Sequence, residues 1–98
     1  PYYRLVYVYL KNHNESLLDQ MAAVMAGKLR AVFGNRVLGP NKPPVARIQT
    51  LFIKKIVVKI EQNAPMGRAR ELLLRIQREM IEDERYKSLI VYYDVDPM

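Results

Sequence analysis

Apolar and polar positions repeat with two different periods along the chain, and each switch of period marks an element. Tyr2 to Leu10 is a β-branched and aromatic run without a breaker, which predicts a strand. Lys11-Asn12-His13-Asn14 follows as a polar turn, with Asn14 or Asn12 placed to cap a helix. From Glu15 to Phe33 the apolar residues Leu18, Met21, Met25, Leu29 and Val32 recur three or four apart, the stripe of an amphipathic helix. Gly34-Asn35 supplies its left-handed stop. Arg36-Val37-Leu38 reads as a short strand broken by Gly39-Pro40-Asn41-Lys42-Pro43-Pro44, whose prolines confine it to an edge or a protruding loop.

A strand-like pattern resumes from Val45 to Leu51 and becomes clearer from Phe52 to Glu61. Ile56, Val58 and Ile60 are expected to face the core there, with Lys55, Val57 and Lys59 on the other side. Gln62-Asn63-Ala64-Pro65 turns into a second helix reaching Glu82, with Ala69, Leu73, Ile76 and Met80 on its buried face. Leu89 to Val95 is the last strand, ended by Asp96-Pro97. The order β-α-β-β-α-β predicts an α+β, ferredoxin-like split β-α-β fold, with two helices on one face of a four-stranded antiparallel sheet. Right-handed crossovers place the first and third strands at its centre and leave the other sheet face open.

Length changes this picture little: 98 residues make one domain, 1–98, with one core. The chain begins at Pro1 and stops after Asp96-Pro97-Met98, so the expectation is a domain cut from something longer. No leader and no apolar run of about 18 residues stands out, which makes a cytoplasmic protein without a membrane partner the default. Charge changes the picture more. The net charge is +6, and between Lys28 and Arg78 stand twelve basic residues and only two acids, Glu61 and Glu71. Such asymmetry points to a polyanionic partner, the alternative being a solvated surface of high pI.

Catalytic chemistry finds no support. The chain has no cysteine and one histidine, and lacks phosphate-loop, dinucleotide and zinc-protease motifs. His13 reads as an exposed loop residue, and Ser16 and Ser88 as backbone-satisfying hydroxyls. Asp94 and Asp96 share a strand face but are too few for a cation site, and a turn with Pro97 suits them better. The chain is therefore expected not to be an enzyme by itself, and to hold no cofactor.

Three features suit binding. With Val6, Val8 and Leu10 turned inward, Leu5, Tyr7 and Tyr9 face outward, joined by Tyr92 or by Val91 and Tyr93, and by Lys55 and Lys59. Aromatics beside lysines either stack bases and hold phosphates or dock the domain onto a larger protein. Arg68 and Arg70 stand in the first turn of the second helix, while Glu82, Asp83 and Glu84 crowd its end. Both run against the helix dipole, as suits an amino end that receives phosphate or a carboxylate; local pairing with Glu71 or Glu61 is the alternative. The stiff loop from Gly39 to Arg47 offers Lys42 and Arg47 to a partner, or serves to protect an edge.

Val37-Leu38-Gly39-Pro40, then Pro43-Pro44-Val45-Ala46-Arg47, Phe52 and Tyr93-Asp94-Val95-Asp96-Pro97 form a further pattern. Over essentially the whole chain it resembles the C-terminal domain of the primosomal replication-restart DNA helicases (primosomal protein N′, the PriA family). The resemblance implies a parent helicase that recognises abandoned, branched replication forks and reloads the replicative helicase. It implies an ATP-driven motor, with its magnesium, and a cysteine-rich zinc module in other domains of that parent. For this domain it implies a fold similar to a small-subunit ribosomal protein, DNA binding at the fork, and part of a pocket for the acidic tail of single-stranded DNA-binding protein. In that pocket an arginine at the start of the last helix is followed one turn later by a glutamine. Arg68 matches the arginine best and Arg70 next, whereas the glutamine position falls on Leu72. Thr50-Leu51-Phe52-Ile53 stands where members often have a glycine, arginines and tyrosine, leaving Lys54 and Lys55 to supply the charge. Lys42 replaces a proline common in the loop.

The expectation is thus a DNA- and partner-binding domain of a bacterial, nucleoid-associated restart helicase. Its DNA contacts are Arg36, Lys42, Arg47, Lys54, Lys55 and Lys59. Arg68 and Arg70 take an acidic tail or phosphate, and Tyr7, Tyr9 and Tyr92 stack bases or dock the parent helicase's remaining domains. The competing expectations are an intramolecular scaffold and an independent RNA-binding or ribosomal-type domain of the same fold.

Overall fold

The computed structural model describes residues 3–96. Expectations placed on Pro1, Tyr2, Pro97 and Met98 lie outside the described residues. The chain is α+β: two helices and a five-stranded antiparallel sheet. The elements are β1 (Tyr3–Asn12), α1 (Glu15–Phe33), β2 (Val37–Asn41), β3 (Arg47–Ile48), β4 (Leu51–Glu61), α2 (Met66–Glu82) and β5 (Ile90–Val95). The sheet order is β2-β4-β1-β5, with β3 also paired to β4. No helix is long and apolar enough to cross a membrane among the described residues.

β1 lies between β4 and β5, with Val8 opposite Ile56 on one side and Tyr93 on the other. Its period of two buries Val6, Val8 and Leu10 against the helices. Ile56, Val58 and Ile60 of β4 do the same, as the alternation anticipates. Asn12 ends the strand. Its buried side chain donates to Ser88 O and Oγ at 3.2 and 3.1 Å and accepts from Asn14 N at 2.9 Å. The expected turn at Lys11 is therefore strand for two residues more, because Asn12 finds polar partners inside the fold.

Asn14 caps α1 by accepting from Leu17 N at 3.0 Å, and Gly34, at φ 65°, stops the helix with its N–H on Arg30 O. Leu18, Met21, Met25 and Leu29 are buried as expected, but Val32 is exposed. With 3.6 residues per turn the stripe passes to Ala22, Ala26 and then Phe33, which packs against the core. In α2 the anticipated Ala69, Leu73, Ile76 and Met80 are the buried set.

The proline segment departs from expectation in two ways. β2 runs through Gly39-Pro40 to Asn41 rather than breaking there, with a register shift between Leu38 and Asn41. Gly39 makes this feasible: its φ is 98°, and a Cβ there would lie 2.9 Å from Lys55 O. The strand-like Val45–Leu51 segment shortens to β3, whose two residues turn through Gln49-Thr50 into β4, with Gln49 at φ 55°. β2 and β3 thus follow one another along the same edge of β4, and the sheet gains a fifth strand over the expected four. Ile53 and Pro43 are both buried although neither belongs to the core beneath the helices, as when a loop folds back on the end of the sheet.

At the other end, α2 stops at Glu82, and Asp83 caps the short turn Glu84–Tyr86 by accepting from Arg85 N at 3.0 Å. Of the three acids expected on the last turn of α2, Asp83 and Glu84 therefore belong to this turn instead. Arg85 hydrogen-bonds the Asp83 side chain and holds its carboxyl down at about 2. Tyr93 of β5 reaches under α2, its phenol donating to Gln77 Oε1 at 2.7 Å, and burial pushes its pKa up to about 12. The folded state thus keeps this proton after the unfolded chain has released it, near its ordinary 10.0. The associated stability is complete below pH 10.0 and is lost as pH rises towards about 12. Urea titrations across that range should show the midpoint falling, and Tyr93→Phe should flatten the fall at a cost of about 1 kcal/mol at neutral pH.

Candidate nucleic-acid interface

The sheet face away from the helices is built by the outward half of the alternation. Across it run the rows Leu38–Val57–Tyr7–Asp94 and Asn41–Lys55–Tyr9–Tyr92, followed by Ile53–Lys11–Ile90. Lys59 stands opposite Leu5, and Glu61 opposite Tyr3. Tyr92, not the Val91 and Tyr93 pair, is therefore the contribution of β5 to this face.

The rings form a series. Tyr9 and Tyr92 stack with centroids 4.8 Å apart and planes 13° from parallel, and Tyr7 meets Tyr9 edge-on at 6.2 Å. Burial first, and then the neighbouring Asp94, raises the phenol pKa of Tyr92. Tyr9 is raised by burial, then by Tyr92, Asp94 and Tyr7. Both remain neutral hydroxyls near pH 7. Lysines lie over the same rings: Lys55 Nζ is 4.3 Å from the Tyr7 centroid, Lys11 Nζ 4.6 Å from Tyr92, and Lys59 Nζ 5.8 Å from Tyr3. Each such contact at an exposed site is worth about 0.5–1 kcal/mol, so the ammonium groups are lightly held.

Carboxylates are distributed against this face. Arg4, Lys28, Arg36, Lys54, Arg68, Arg85 and Lys87 all have an acidic partner, whereas Lys11, Lys55 and Lys59 have none among the described residues. At the margins Glu61 is taken by Arg36, and Asp96 by Arg4 at 2.7 Å. Asp94, exposed opposite Tyr7, is the one acid on this face without an ion pair among the described residues.

The six expected DNA contacts separate into groups. Lys55 and Lys59 belong to the open face. Lys42 lies exposed in the loop between β2 and β3, and Arg47 opens β3, its guanidinium 5.0 Å from the Phe52 ring and its Nε on Gln49 O at 3.1 Å. Arg36 is bonded to the Glu61 carboxylate. Lys54 points to the helix side, 18% exposed and 3.0 Å from Asp19 of α1. The alternation of β4 separates it from Lys55, a distinction that adjacent lysines conceal until the register is known. Lys11 and Tyr3 belong to the face and were not anticipated. The signal for Lys11 was present, since Tyr7, Tyr9 and Lys11 continue a period of two.

Arg68 and Arg70 also part. Arg68 forms the local pair with Glu71 at 3.3 Å. Arg70 has no ion pair among the described residues and lines a groove of about 430 Å³ between α2 and the β1 and β5 strands. Arg4, Val6, Met66, Leu73, Leu74, Tyr93 and Val95 complete its walls, while Leu72 lies elsewhere. His13 is exposed as expected, its Nδ1 3.0 Å from Thr50 Oγ1.

No family model matches the chain, and no curated protein matches it. Among solved structures it is similar to the de novo designed protein Foldit4, with a TM-score of 0.67 over 98% of each chain and 11% identity. At that identity the likeness concerns the fold alone.

The opposed faces of Lys54 and Lys55 lead to a direct test on a sulfated column. Lys55→Gln should elute from heparin at lower salt than the unsubstituted chain, whereas Lys54→Gln should elute with a smaller change, its charge being already answered by Asp19.

Proposed function

We propose that this chain is a non-catalytic DNA-binding and partner-binding domain of a bacterial replication-restart helicase, working in the cytoplasm on branched or single-stranded DNA. One observation carries the DNA half: Lys11, Lys55 and Lys59 stand together on an open sheet face beside Tyr7 and Tyr92 without ion-pair partners among the described residues, whereas seven of the other thirteen cations have one. Lys42 and Arg47 extend the charge along the proline-stiffened edge. In this reading the fold is a ferredoxin-like split β-α-β, to which β3 adds a short arm. ATP, magnesium and zinc belong to other domains of the parent helicase.

The partner half has its own support. The groove between α2 and the sheet is largely apolar and carries Arg70, which has no ion pair among the described residues, beside Arg4, which Asp96 holds at 2.7 Å. An acidic segment with an apolar side chain suits it, as the tail of single-stranded DNA-binding protein would. Arg70 carries that role better than Arg68, which Glu71 already occupies. With Arg70 in that role the position one turn later is Leu74, which lines the groove as an apolar wall and, like Leu72, supplies no glutamine amide.

Binding through phosphates releases counterions, so the affinity for fork DNA should fall roughly a hundredfold between about 50 and 200 mM salt if about four phosphates are neutralised. An affinity indifferent to salt overturns the electrostatic mechanism. A chain that ignores DNA altogether, yet whose removal destabilises the parent motor, is instead an intramolecular scaffold. For the groove, an acidic tail peptide should lose affinity with Arg70→Ala more than with Arg68→Ala. Peptide binding that survives Arg68→Ala/Arg70→Ala removes the amino end of α2 from consideration.

A further inference from the structure

The lysines account for attraction to phosphate but not for the rings among them. Resting on the DNA-binding reading above, we infer that the open sheet face is a stacking platform for the bases of single-stranded nucleic acid, with Tyr7 and Tyr92 as the seats and Tyr9 as the ring that backs Tyr92. The ligand class follows from shape and chemistry together. In a duplex the base faces are occupied by neighbouring bases, and rings on a sheet cannot reach them. In a single strand every base offers a π-face, and a row of aromatic rings accepts it whatever the sequence.

The layout gives the strand a direction across the sheet. Lys55 and Lys59 stand on β4, the rings of Tyr7 and Tyr9 on the neighbouring β1, and Tyr92 on β5. Asp94 also lies on β5, opposite Tyr7, where its charge repels a phosphate. The sugar-phosphate chain therefore follows the β4 side and its bases reach towards β1 and β5. Lys11, at the end of β1, meets the backbone where it leaves the Tyr9–Tyr92 pair. Tyr9 and Tyr92 already cover one face of each other at 4.8 Å and Tyr7 meets Tyr9 edge-on at 6.2 Å, so the faces left to a base are those of Tyr7 and Tyr92, which suits about two bases.

The lysines that now lie over Tyr7 and Tyr92 cover these rings loosely, at 4.3 and 4.6 Å from the centroids. An arriving base takes the ring face, and the ammonium group moves outward to the phosphate beside it. Both partners of each cation–ring contact thereby gain a nucleic-acid contact. A face meant only to dock another protein domain has no need of three unpaired ammonium groups among its tyrosines, since each must be desolvated on docking.

The chain contains seven tyrosines and no tryptophan, so quenching of Tyr7, Tyr9 and Tyr92 is read free of tryptophan emission, over a constant background from tyrosines away from the platform such as Tyr86 and Tyr93. The probes are an oligothymidylate, an abasic strand of equal length and charge, and a duplex of equal length. The oligothymidylate should quench the fluorescence and bind about tenfold or more tighter than the abasic strand. Tyr9→Leu and Tyr92→Leu should each remove most of that difference, while Tyr9→Phe, which keeps the ring, should preserve it. Lys55→Gln should weaken all three probes alike. Equal, salt-sensitive binding of the abasic and base-bearing strands overturns the stacking platform and leaves the phosphate reading intact. Binding of none of the probes overturns both. The abasic comparison uses the unsubstituted chain, so it stands even where a tyrosine variant fails to fold.

Discussion

β1 is hydrogen-bonded on both flanks, and its two-residue alternation constrains everything else in the molecule. A slip of one residue against β4 would send Val6, Val8 and Leu10 to the solvent side and Tyr7, Tyr9 and Lys11 into the core. Burial of each fully enclosed aliphatic side chain is worth about 1.5–3 kcal/mol, so that slip is prohibited many times over. Core and candidate interface are consequently two faces of one decision. The interactions that hold α1 and α2 against the sheet also hold the tyrosines outward, and the interface needs no separate scaffold.

A second division concerns the charges. Carboxylates are spent on the flanks: Asp19 on Lys54 beneath α1, Glu61 on Arg36 at the edge, and Asp96 on Arg4 at the chain end. All are at least partly exposed, so solvent screens them and each contributes little to stability by itself. Their collective effect is on the field around the molecule. Pairing cancels charge around the margins and leaves two positive regions without ion pairs among the described residues: the open face with the proline edge, and Arg70, Arg75 and Arg78 on α2.

Much of this was legible in residue order. The stripes of α1 and α2 and the inward sets of β1 and β4 follow from period alone, because each is long and strongly patterned. The features that escaped depended on partners distant in sequence. Lys11 belongs to a strand only because Asn12 is satisfied by Ser88, 76 residues away. Lys54 falls on the helix side by the register of β4 against β1, where α1 brings Asp19 to it. Val45 to Leu51 reads as one strand, yet Gln49 adopts a positive φ and folds it into a hairpin arm. The pairing of Arg68 with Glu71 is local and stands among the alternatives, whereas the position of Arg70 beside Val6, Tyr93 and Val95 depends on strands distant in the chain.

The pairing of β1 with β5 has one more effect. Asp96 N donates to Leu5 O at 2.7 Å while its carboxylate grips Arg4, so the two ends of the described chain lie side by side at one corner of the sheet. Any polypeptide joined to either end would therefore attach at this corner, and the middle of the open face would stand clear of it. The same geometry suits circular permutation, with the old ends joined by a short linker and new ones opened at the exposed Gln62-Asn63 turn. A domain whose two ends meet at one corner can be fused to another protein without rebuilding its open face.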